Sequence, residues 1–153
     1  MQLTVLSKAS LERIGDYVGR DPIFEDLAAV EAYLRFLYAG FGAMPDACWR
    51  AMAEHGHRVR SDGRLGLAYD PAIGNALKTG QLADVELWPL WDRLRCPVLA
   101  LRGESSDLLQ ADTAREMAER GPKATVVEIA GAAHAPGLGT EDQIALIGDF
   151  LLG

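Results

Sequence analysis

Two apolar runs with one helix-like stretch between them constrain this chain most. Val98-Leu99-Ala100-Leu101 is apolar at every position, with no polar alternation. A strand of that kind is buried on both faces, as in a parallel sheet. Cys96-Pro97 precedes it, and proline is tolerated at the first position of a strand. A second run, Val126-Val127-Glu128-Ile129, predicts another strand over about 124–129. Between them a helix over roughly 112–120 closes at Gly121-Pro122. After the second strand, Thr140-Glu141-Asp142-Gln143 has the pattern of a capping box. The last helix then carries Ile144, Ile147, Phe150 and Leu151 on one face. Strand–helix–strand–helix order implies a right-handed parallel crossover, the unit of layered α/β domains.

The pattern is different before residue 85. Ser10 is placed to cap a short helix with Leu11, Ile14, Tyr17 and Val18 on one face, ended by Gly19. Residues 24–39 space Phe24, Leu27, Val30, Leu34, Leu37 and Tyr38 by threes and fours, which predicts an amphipathic helix. A third helix runs from Pro45 or Asp46 to His55 with Trp49, Met52 and Ala53 inward. Asp62-Gly63 signals a tight turn or small hairpin. Asp70-Pro71 opens a short helix to about Lys78, broken at Thr79-Gly80. Leu87 to Leu94 is a short apolar helix. Trp88 and Trp91 are expected to pack in the core. The expected organisation is a helical region over 1–84 and a β-α-β-α unit over 85–153.

Asp107 and His134 stand in the loops that follow the two strands. Catalytic groups in open α/β sheets gather at the carboxyl ends of strands. A carboxylate there can accept an imidazole N–H, fix its tautomer and stabilise the imidazolium. Taken singly, Asp107 also fits a helix-capping or solvated aspartate, and His134 a surface histidine. As a pair, one helix and one strand apart, they point to an acid and a base on one rim.

These residues carry a resemblance. Leu87 to Asp92, Cys96 to Gly103, Ser106 to Leu109 and His134-Ala135-Pro136 resemble the C-terminal part of the α/β-hydrolase fold family. The stretch before residue 85 is similar to the cap inserted ahead of those strands, with Tyr17-Val18-Gly19, the Trp49 helix and Tyr69-Asp70-Pro71 fitting a cap of bacterial members. The resemblance implies Asp107 as acid and His134 as base of a catalytic triad. It departs from the family in two places. Ala133 stands where the family has glycine, which narrows the backbone choices. No G-x-S-x-G nucleophile turn occurs in the 153 residues. Ser105 and Ser106 are not on a strained strand-to-helix turn, and Cys48 and Cys96 are read as packing residues.

The leading expectation is therefore part of a hydrolase for small ester, amide or epoxide compounds, inactive alone for want of a nucleophile. Its substrate pocket leans apolar. The second reading is a non-catalytic module that binds a small ligand or a partner chain. With few strands present, the edge of strand 98–102 is exposed and invites self-association or a complementing chain.

A net charge of −7 repels nucleic acid on average. No run approaches a membrane span. The N-terminus, Met1 to Lys8, lacks the features of a signal peptide, and two cysteines are too few for a disulfide scaffold, so the expected location is the cytoplasm. His55-Gly56-His57 reads as a solvated loop and not a metal site. Gly137-Leu138-Gly139 lacks the dinucleotide fingerprint, and no cofactor is implied.

Overall fold

A computed structural model describes residues 7–79 and 82–153. Two strands, β4 (Leu99–Gly103) and β5 (Thr125–Ile129), pair in parallel. Leu99 lies opposite Thr125 and Gly103 opposite Ile129, so both strands end at the same level. The crossover between them is α6 (Ala111–Glu119), and α7 (Glu141–Leu152) follows β5. This is the β-α-β-α unit expected from the two apolar runs.

The preceding part is mostly helical: α1 (Lys8–Gly15), α2 (Leu27–Leu37), α3 (Asp46–Gly56) and α4 (Asn75–Thr79). A small antiparallel sheet crosses it, formed by β1 (Ile23–Phe24), β2 (His57–Val59) and β3 (Leu65–Leu67), with β3 in the middle. The expected Asp62-Gly63 turn joins β2 to β3, and Gly63 takes a positive φ of 82° there. The core of this part is Phe24, Val30, Leu34, Ala53 and Leu67. A fifth helix, α5 (Trp88–Trp91), leads into β4.

Several local expectations are corrected. Ser7, not Ser10, caps α1, its hydroxyl accepting the Ser10 N–H. The helix expected over 24–39 starts only at Leu27. Asp26 accepts the Ala29 N–H at 2.8 Å and fixes that start, while Phe24 pairs as a strand with Leu65. The Thr140 side chain makes no capping bond, and Gln143 Oε1 is buried without a partner among the described residues. The expected capping box is thus not closed. Cys96 is exposed instead of packed. The expected break at Gly80 lies outside the described residues.

Trp88 is buried as expected, and Trp91 is partly covered. The Arg120 guanidinium lies 4.6 Å from the Trp88 ring centroid and donates to both Asp92 oxygens. That arrangement ties the end of α6 to α5 by charge, stacking and packing together.

The last helix is different. No residue of α7 is buried, and Ile144, Phe150, Leu151 and Leu152 are all exposed. Its apolar stripe, which normally faces a core, is uncovered. No helix among the described residues is long and apolar enough to cross a membrane.

Candidate active site

The loop after β4 is folded around a guanidinium. Arg102 sits inside the strand, yet its side chain is only 8% exposed. Its Nε donates to the Leu109 carbonyl at 2.9 Å and its Nη1 to the Glu104 carbonyl at 3.0 Å. Glu128, opposite it on β5, supplies the balancing charge. The Ser106 hydroxyl, also buried, accepts the Leu109 N–H at 3.1 Å. A buried cation survives only when its donors are met, and here backbone carbonyls meet them. The result is a fixed loop that presents Asp107 at its turn.

That loop is stitched to the one that follows β5. Ser105 N–H and its hydroxyl both donate to the Ala132 carbonyl at 3.0 Å. Glu104 N–H donates to the Ile129 carbonyl, and the Gly131 N–H donates to the Glu104 carboxylate. The helical part holds the same loop from above. Ala133 N–H donates to the Gly40 carbonyl and Gly137 N–H to the Phe41 carbonyl. His134 sits between these two anchors.

Asp107 and His134 therefore emerge from neighbouring loops at the carboxyl ends of adjacent parallel strands. Their side chains are not joined. Both residues are exposed, and no hydrogen bond links them among the described residues. Asp107 is held instead by Arg13 of α1, Nε to Oδ2 at 2.7 Å and Nη2 to Oδ1 at 2.8 Å. The guanidinium fork matches a carboxylate edge to edge. Ser10, the residue that does not cap α1, donates its hydroxyl to the Asp107 carbonyl at 3.2 Å. With 43% and 55% of the two side chains exposed, water screens the Arg13–Asp107 pair and it contributes little to stability.

His134 faces a cavity of about 490 Å³ shared with Arg13, Tyr17, Tyr38 and Phe41. A wider groove of about 870 Å³ runs along α6. Most of its charges are paired with one another, Arg120 with Asp92 and Glu116 and Arg115 with Asp112.

Comparison with known proteins decides the family. The chain is 33% identical to the 3-hydroxybutyrate-oligomer hydrolase of Cupriavidus necator, over 97% of its own length and 53% of that enzyme's. It is 34% identical to the 2-(acetamidomethylene)succinate hydrolase of Mesorhizobium japonicum, over 73% of this chain and 38% of that one. An α/β hydrolase of Novosphingobium aromaticivorans superposes with a TM-score of 0.78 at 35% identity, covering 95% of this chain and 52% of that structure. The chain belongs to the α/β-hydrolase fold family. No family model matches it. It spans about half the length, or less, of the curated relatives it matches.

The departure at Ala133 has a local resolution within this hydrolase-fold chain. Positive φ falls on Gly131, at 68°, and not on Ala133. Alanine at 133 is therefore unstrained. The constraint has moved to its neighbours. A Cβ on Gly103 would fall 1.8 Å from the Ala133 carbonyl oxygen, and one on Gly40 would fall 2.8 Å from the Ala133 Cβ. The histidine loop is packed against two glycines that have no room for a side chain.

Ser105 joins the two loops as donor to Ala132, and Ser106 braces the Asp107 loop from within as acceptor from Leu109. Cys96 lies at the other end of β4 from Asp107. His57 donates its Nδ1–H to the Ala53 carbonyl at 2.9 Å. Sequence reasoning missed Arg13, Ser10 and Arg102. For Arg102 there was a signal: a charged residue directly continuing an apolar strand run. For Arg13 and Ser10 there was none, since α1 and the Asp107 loop are far apart in sequence.

Proposed function

We propose that this chain supplies the acid, the base and the lid of an α/β hydrolase that cleaves an ester or amide bond in a small molecule. Asp107 is the acid and His134 the base. The described residues before 85 form the lid, and residues 85–153 belong to the core. The observation that carries this reading is the stitching of the Asp107 and His134 loops at one rim of two parallel strands. The names of the two curated relatives, a 3-hydroxybutyrate-oligomer hydrolase and a 2-(acetamidomethylene)succinate hydrolase, support it from outside.

In this scheme a nucleophile attacks the substrate carbonyl. His134 takes the nucleophile's proton and passes it to the leaving group, and Asp107 orients the imidazole and stabilises its charged form. The nucleophile comes from polypeptide outside these 153 residues, because no nucleophile elbow occurs within them. Asp107 has to turn one carboxylate oxygen from Arg13 to the imidazole. The pair's exposure keeps that exchange small in energy. The bare face of α7 and the open edge of β4 are where the remaining sheet and helices, or a second copy, would pack.

The second reading is a non-catalytic module that binds a small ligand or a partner chain. The Arg13–Asp107 pairing is what a non-catalytic ligand-binding module would also show. A p-nitrophenyl ester assay separates the two. The chain alone is expected to give no turnover, and addition in trans of the nucleophile-bearing half of a relative is expected to restore it. Failure to restore turnover with a half that visibly associates supports the binding module.

A further inference from the structure

Arg13 is the one Lys or Arg among the residues lining the His134 cavity. Its fork is half used. Nε and Nη2 hold Asp107, and Nη1 has no hydrogen bond among the described residues. A guanidinium offers five donors in a rigid plane, enough for two carboxylates at once. Asp107 therefore does more than neutralise Arg13. In the arrangement observed it fixes the plane of the guanidinium and leaves Nη1 open, and one bond to Arg13 remains when the other oxygen turns to the imidazole.

Two tyrosine hydroxyls also line the cavity. The Tyr17 and Tyr38 hydroxyls make no hydrogen bond among the described residues, whereas the Tyr69 hydroxyl donates to the Arg20 carbonyl. Burial pushes the Tyr38 phenol up from its ordinary value, with Tyr17, Tyr33 and Tyr69 adding to the effect, so at neutral pH it keeps its proton. Behind these residues lies a second cavity of about 540 Å³, mostly apolar, between α2, α3 and β3. All four tyrosines of the chain line it, and Tyr17, Leu37 and Tyr38 line both cavities. Donors stand at one end and an aromatic chamber at the other. The chain as a whole is acidic, and the donors that Asp107 leaves open on Arg13 are the only guanidinium donors in the lining of this cavity.

We propose that Arg13 anchors a free carboxylate on the substrate, with the apolar body lying in the tyrosine-lined chamber. This rests on reading the His134 cavity as the substrate pocket, and it narrows the substrate class. Arg13 and His134 share one small cavity, so the anionic group sits close to the bond to be cleaved. Neutral esters of the same size lose the charge-assisted hydrogen bond and are disfavoured.

The test is an NMR titration of the 153-residue chain with hexanoate and with its neutral counterpart hexanamide, following the His134 and tyrosine ring signals. Hexanoate is expected to shift both and to bind about tenfold or more tightly than hexanamide, the factor a charge-assisted hydrogen bond supplies. Arg13→Gln is expected to abolish that preference and Arg13→Lys to retain part of it. Equal binding of the two probes by the wild-type chain overturns the proposal, and so does an Arg13→Gln chain that keeps the preference. The wild-type comparison decides the matter even where Arg13→Gln fails to fold. Hexanoate that moves neither His134 nor Tyr17 at saturation sinks the pocket assignment itself. Hexanoate that moves them without regard to Arg13 sinks only the anchor.

Discussion

The Arg102 guanidinium donates to the carbonyl of Leu109 at 2.9 Å, spanning the loop that presents Asp107. The loop's shape depends on that bond and on the one to Glu104. Arg102→Met is expected to destabilise the chain by about 1–3 kcal/mol, the usual result of leaving buried carbonyls unpaired. Glu128→Gln, on the exposed partner, is expected to cost less. Urea denaturation of both variants checks the order. Equal losses would mean that the ion pair, and not the loop carbonyls, is what Arg102 serves.

Gly103→Ala is a sharper probe of how the two loops meet. The added methyl would fall 1.8 Å from the Ala133 carbonyl oxygen and 2.7 Å from that of Ala132, both backbone atoms. Overpacking of this kind typically costs about 1–3 kcal/mol. A thermal melt is expected to show the loss, together with a displaced His134 ring signal. An unchanged melt would mean that the two loops do not meet at Gly103.

Much of this was legible in the chain itself, for local reasons. The non-alternating run at 98–101 and the Gly121-Pro122 stop are nearest-neighbour signals, and the strand and helix they imply lie within a residue or two of the expected bounds. Asp62-Gly63 likewise specifies its own turn. What could not be read depends on partners distant in sequence. Phe24 has helical spacing but pairs as a strand because Leu65 lies beside it. Thr140 and Gln143 have the capping pattern, yet the box does not close. At the site, the positions of Asp107 and His134 follow from strand order. The grip of Arg13 on Asp107 joins residues on separate elements and leaves no trace in either local sequence.

Acid should weaken the junction of α5 and α6 in a defined direction. The hydrogen bond from Arg120 holds the Asp92 carboxyl below its ordinary value, and the same guanidinium adds a favourable charge. A lowered folded-state value means that the pair stabilises above the unfolded carboxylate value of about 3.9. The contribution disappears as pH falls through the lower, folded-state value. Asp92→Asn is expected to flatten the acid limb of a stability–pH curve below about pH 4 and to lower the plateau above it. An acid limb identical to wild type would remove Asp92 from the linkage.

The uncovered face of α7 has a consequence for association. Leu151 and Leu152 are 71% and 90% exposed, and β4 has one partner strand among the described residues. Light scattering coupled to size exclusion is expected to find the chain self-associated, with Leu151→Glu/Leu152→Glu shifting it toward monomer. A monomeric wild-type chain that melts cooperatively would show that the present fold needs no further covering.

The most direct measurement is ester turnover by the chain complemented with the nucleophile-bearing half of a relative, compared with His134→Ala and Asp107→Asn. Each substitution is expected to lower kcat by about three orders of magnitude or more without preventing the halves from associating. Turnover that survives His134→Ala would contradict the assignment of base and acid.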